Sequence, residues 1–162
     1  MKIHEFLIPQ LQQEVALTEK FLKRIPEDKL DWKPHKKSMT IRQLANHLGE
    51  IPSWITGTMN AGEMDMKAYK PTDHATIEEI IKELKANAAE AEKSLKKSDD
   101  EFERMWKMTN DGEIIFEMPK FNVLQSTVMN QFPHHRAQLG VYFRLLDISV
   151  PATYGPSADE QE

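Results

Sequence analysis

The 162-residue sequence has no cysteine, and that one absence excludes disulfides, a thiolate metal site and a cysteine nucleophile together. Any bound metal must be held by nitrogen and oxygen. Basic charge is also short: 21 Lys and Arg against 26 Asp and Glu give a formal charge of −5. That is the wrong sign for a domain that neutralises many phosphates, so nucleic acid is not an expected partner. Long hydrophobic runs are missing, and nothing in the sequence is expected to span a bilayer. The first residues, MKIHEFLIPQLQQEV, lack the basic, apolar and small-residue regions of a secretory signal, so the expected location is the cytoplasm. No Gly-rich phosphate loop, nucleophile-elbow serine or obvious acid/base carboxylate pair is visible.

What is present is globular: 40% hydrophobic and 29% charged residues, enough to close one core. One domain over 1–162 is expected. Nine methionines read most simply as adaptable core filling. Ile3 to Ile25 carries apolar residues near helical period and is stopped by Pro26. Leu30 and Trp32 are expected to pin the polar connection that follows. Thr40 and Gln43 form a capping-box signature ahead of a second helix reaching Asn60. Its inner face holds Ile41, Leu44, His47, Leu48, Ile51, Trp54 and Ile55, and Pro52 should bend it. Glu63 to Ala75 reads as a mobile connection, with His74 a solvated loop residue. Thr76 and Glu79 signal a third helix, whose charged outer face is a solvated surface. Asn110, Asp111 and Gly112 mark a hairpin turn between two short strand-like runs. A final helix from about Asn122 to Asp147 should kink at Pro133, and the residues beyond it form a packed or trailing tail. The pattern implies an all-α four-helix bundle with a small β-hairpin before the last helix; an irregular α+β domain with a larger sheet is the alternative.

The chemistry concentrates in NQFPHHRAQLGVYFRLLD, from Asn130 to Asp147. Leu124, Val128, Gln131, His135, Gln138 and Tyr142 fall on one helical stripe with apolar ends and a polar middle. A buried imidazole and amide at i and i+4 must be hydrogen-bonded or bound to something. Either they satisfy each other in the core, or they are part of a metal site that His47 completes from the second helix. Two imidazoles suit Zn, Ni, Fe or Cu. Glu50, one turn after His47, is a further carboxylate ligand or a partner of that imidazole. His134 lies about 100° from His135 around the helix axis, so the two do not share one centre. Arg136 and Arg144 read as salt-bridge formers, with the acidic tail as a partner.

With these residues in view, the sequence resembles the DinB/YfiT-like superfamily, the damage-inducible family and not the DNA polymerase that shares its name. The resemblance spans nearly the whole chain. It rests on IPEDKLDWKPHKKSMTIRQLANHLGEIPSW, on FEMPKFNVLQ, and most specifically on HHRAQLGVYFRLLDISVPATYGPSADE. It implies an up-down bundle with a long crossover, frequent homodimers, and a divalent metal (Zn, Ni or Fe) held by three histidines. His47 and His135 match two of those ligands, and the third falls on Gln131. Three fates follow from that departure: His47, His135 and Gln131 or water hold a weakened site; His134 or Glu50 substitutes; or the site has become a hydrogen-bonded core cluster. Assigned relatives include S-transferases acting on low-molecular-weight thiols such as bacillithiol or mycothiol, and the resemblance implies that chemistry or a related metal-dependent hydrolysis on a small-molecule substrate. The reading from another class is a metal-free, non-catalytic dimeric bundle that binds a small molecule or a protein partner.

Overall fold

Helix α1 (Ile3–Leu22) buries Leu7, Leu11, Phe21 and Leu22 along one face, which is the amphipathic stripe read from the sequence. The computed structural model describes residues 2–161, so the tail's last residue, Glu162, lies outside the described residues. After α1 the chain turns at Pro26 through a short 3₁₀ turn. Leu30 is buried there, and Trp32 packs edge-on against Tyr142 with ring centroids 5.6 Å apart, so both pin this connection as expected.

Helix α2 (Ile41–Asn60) opens on the anticipated capping box. Gln43 N donates to Thr40 Oγ1 at 3.1 Å and Thr40 N donates to Gln43 Oε1 at 2.9 Å. It runs on through Pro52. Helix α3 (Ile77–Leu95) is capped in the same way by Thr76 and Glu79. Thr76→Ala removes the acceptor for an otherwise orphaned N–H, and is expected to cost about 1 kcal/mol. Thermal unfolding then shifts down by about 2–4 °C; an unchanged midpoint would show that the cap contributes nothing. α2 packs closely on α3, and a Cβ at Gly49 would sit 3.0 Å from the Ile80 side chain. Glycine is what lets the two backbones approach.

The Glu63–Ala75 connection is less free than its composition suggests. It contains strand β1 (Glu63–Asp65), which pairs in parallel with β2 (Met105–Asn110), Met64 opposite Met108. His74 N donates to Asn46 Oδ1 at 2.7 Å, and the His74 ring lies 2.7 Å from Glu83. His74 is therefore anchored to both flanking helices, where the sequence pointed to a solvated loop residue. A short helix, α4 (Asp99–Glu103), precedes β2. The hairpin of β2 and β3 (Glu113–Pro119) turns at Asp111 and Gly112, with φ of 54° and 83°. Both lie in the left-handed region that a two-residue hairpin turn requires and that Asp-Gly favours. The sheet has three strands in the order β1-β2-β3, one more than the expected hairpin.

The last helical arm is composite. A turn α5 (Lys120–Asn122) leads into a π-helical segment from Val123 to Met129, and after Asn130 the chain becomes helix α6 (Gln131–Leu145). The irregularity thus falls upstream of Pro133. That proline sits in the first turn of α6, where its missing N–H would have had no helical partner. α6 packs on both α1 and α2, α1 and α2 both pack on α3, and one core joins them, with Leu48, Ile51, Leu84, Phe102, Phe132 and Phe143 fully buried. The chain is therefore mostly helical with a small sheet. No helix among the described residues is long and apolar enough to cross a membrane.

The tail beyond α6 packs against α1 and α6. Arg144 binds Asp159 at 2.8 Å, Lys20 binds Glu160 at 2.5 Å, and Arg24 also pairs with Glu160. Arg144 meets the acidic tail as expected. Arg136 instead pairs with Glu14 of α1 at 2.6 Å and reaches the tail through Tyr154.

Candidate metal centre

His47 on α2 and His135 on α6 meet between the two helices. Their ring centroids are 4.4 Å apart with planes at 89°. His135 is 8% exposed, whereas His47 is half-buried, more open than the middle of an inner face. Each imidazole has Nδ1 tied to a side chain three residues further along its own helix: His47 to Glu50 Oε1 at 2.8 Å, His135 to Gln138 Oε1 at 2.9 Å. An ionised carboxylate only accepts, so His47 Nδ1 carries the proton, and in the neutral ring Nε2 carries the lone pair.

Glu50 is ionised despite being buried. Burial alone would raise its pKa, but hydrogen bonds from His47, Tyr69 and the Thr72 backbone together hold it below the ordinary carboxylate value. Tyr69 Oη donates to Oε1 and Thr72 N donates to Oε2 at 3.2 Å. Burial and the adjacent carboxylate in turn raise the Tyr69 pKa. With both oxygens occupied, Glu50 stands as the orienting partner of His47. Tyr69 and Thr72 are the site residues that sequence reasoning missed. The only signal was an aromatic in a polar connection, which does not say what it faces.

His135 is held neutral. Burial, assisted by the neighbouring His47 and His134 rings and opposed by the Gln138 bond, pushes its pKa down to about 4. Its Nε2 lies 2.9 Å from Gln131 Oε1. If Nδ1–H donates to Gln138, Nε2 and Gln131 Oε1 turn lone pairs towards each other. That contact is unfavourable unless the Gln131 amide rotates by a half-turn or a cation lies between the two atoms. Gln131 is thus brought beside His135 as the helical stripe implied. His134 is exposed, edge-on to His135 at 4.7 Å, and near Gln138 Nε2 at 3.3 Å. Among the described residues no group of three His, Asp or Glu side chains is placed to hold a metal ion. The two imidazoles have an amide as their third neighbour.

The protein is thus a mostly helical chain with a three-stranded sheet and a histidine pair between its second and last long helices. The DinB family model matches residues 4–162, and the chain belongs to the DinB family. The crystal structure of a DinB-like protein from Bacillus subtilis superposes with a TM-score of 0.69 at 17% identity, covering 96% of this chain and 97% of that one. A DinB-like protein from Bacillus cereus gives 0.68 at 20% identity, covering 94% and 98%. At these identities the likeness is one of fold. No curated protein matches the chain.

Proposed function

We propose that the chain is a cytoplasmic, divalent-metal-dependent enzyme built as a single four-helix bundle of DinB/YfiT type, with His47, His135 and Gln131 as its metal ligands and a homodimer as its working form. The observation that carries this reading is the matched pair of outer contacts. Imidazoles that ligate a metal hand their second ring nitrogen to a carboxylate or carbonyl oxygen, which fixes tautomer and orientation. Glu50 and Gln138 stand in that relation to His47 and His135. The donor set fits a borderline ion such as Zn, Ni or Fe, and with His135 Nδ1–H donating to Gln138, a cation would relieve the facing lone pairs of Nε2 and Gln131 Oε1.

When bound, the metal would lower the pKa of a water or a low-molecular-weight thiol and make it the nucleophile for S-transfer or hydrolysis. The chain's own residues do the rest. Glu50 and Gln138 hold the two rings, Tyr69 and Thr72 fix Glu50, and burial keeps His135 neutral so that a lone pair is available. A metal-free, non-catalytic dimer that binds a small molecule or a protein is the second reading. It is favoured by the amide at 131, since one rotation of that amide satisfies the cluster without a metal.

Elemental analysis of untagged protein purified without chelator separates the two. Near-stoichiometric Zn, Ni or Fe in the wild type, lost in His135→Ala, is the expected result. No metal after incubation with each ion would overturn the proposal.

A further inference from the structure

Glu50 and Thr72 are shared by two cavities, one of mixed lining and one more strongly apolar. On one side lies a cleft of about 430 Å³ lined by Thr40, Arg42, Gln43, His47 and Asp73. On the other lies a cavity of about 330 Å³ whose walls include Trp54, Met64, Trp106, Met108 and Val128. The apolar cavity is formed where the Glu63–Ala75 connection and the sheet close over α2 and the π-helical segment. Its size and lining are those of a small-molecule site.

Its charges decide the ligand class. Glu63 is drawn off by Lys107 at 2.7 Å, and Glu50 accepts from three donors already. Glu50 is therefore saturated, and Glu63, an exposed carboxylate, is screened by water from any cation in the cavity. Lys70 is the one basic residue of the lining, and it is exposed, so water screens whatever it would offer an anion. Burying an unpaired charge there would be costly. The aromatic and thioether surfaces favour a flat apolar body instead.

We propose that the apolar cavity binds an uncharged, flat, largely apolar small molecule of about bicyclic aromatic size. This ligand class does not depend on the metal-centre reading above.

Gly57 gives a clean test, because it lines the cavity and a Cβ there would meet nothing within 4 Å. The probe is N-phenylnaphthylamine, an uncharged naphthalene bicycle carrying one further phenyl ring, followed by its own emission and by quenching of tryptophan fluorescence. Chelator-treated wild type should bind it saturably at one site, and its sulfonated analogue, anilinonaphthalenesulfonate, at least about tenfold more weakly. Gly57→Phe should lose binding, while Gly57→Ala, which improves helix propensity, keeps it. Equal affinity for the charged and uncharged probes would overturn the proposal. So would undiminished binding by a Gly57→Phe protein whose unfolding is cooperative. His135→Ala should bind the probe like the wild type, so failure of the metal reading leaves this result standing and the reverse also holds.

Discussion

Arg136→Ala is expected to destabilise the protein by about 3–5 kcal/mol, the cost of leaving a buried charge unpaired. The Arg136 and Glu14 side chains are only 2% and 7% exposed. Besides the ion pair, Arg136 Nη1 donates to the Glu14 carbonyl and to Thr18 Oγ1, each at 3.1 Å, and Nη2 donates to Tyr154 Oη at 2.5 Å. Tyr154 in turn donates to the Glu14 carboxylate at 2.7 Å. Removing the guanidinium strands that carboxylate with a single hydroxyl donor and opens a void. Urea denaturation should show the loss, and thermal unfolding should fall by roughly 6–20 °C for a chain of this size. The double replacement Glu14→Leu with Arg136→Met should recover most of it, because the pair's mutual attraction is offset by the desolvation of both charges. Arg136 Nε, buried and without a partner among the described residues, is a further reason to expect the apolar pair to be tolerated. A loss below about 1 kcal/mol on Arg136→Ala would mean that water reaches Glu14 and that the pair behaves as a surface contact.

Gln131→His is expected to raise divalent-metal affinity by about a hundredfold, or about 2.7 kcal/mol. The position opens α6 four residues before His135, and its side chain already touches the ring nitrogen that would bind the ion. Exchanging an amide oxygen for an imidazole nitrogen improves the match to Zn and Ni, while Glu50 and Gln138 continue to hold the other two rings. Competition against a chromophoric chelator measures the change directly. A variant that folds normally and binds no better than the wild type would remove position 131 from the centre.

The helices and the histidine pair could be read from the sequence because their signals are local. The capping boxes at Thr40 and Thr76 and the three- and four-residue spacing through Gln131 and His135 need no knowledge of the rest of the chain. Glu50 shows where that stops. Its spacing allowed it to be a ligand or a partner of His47; what makes it a partner is Tyr69 and Thr72, 19 and 22 residues away. β1 was missed for the same reason: three residues, Glu-Met-Asp, have no strand pattern of their own and are held by pairing with β2. The π-helical segment is a backbone choice that side-chain periodicity does not encode. The kink was therefore assigned to Pro133, where the helical first turn absorbs the proline. The tail's place was open because its prolines exclude a helix without naming a surface, and the ion pairs to Arg24 and Arg144 supply that surface.

The Glu14, Arg136 and Tyr154 cluster has a consequence for how the chain is made. Glu14 and Arg136 are 122 residues apart, and Glu14 and Tyr154 are 140 apart. At a synthesis rate of about 5–20 residues per second, roughly 6–24 s pass between translation of the carboxylate and of its guanidinium. During that interval the Glu14 carboxylate has no guanidinium partner, so the full burial of that position waits until α6 has been made. Translation therefore sets the earliest moment at which this cluster closes, and a nascent chain paused before Arg136 would leave the α6-facing part of α1 uncovered.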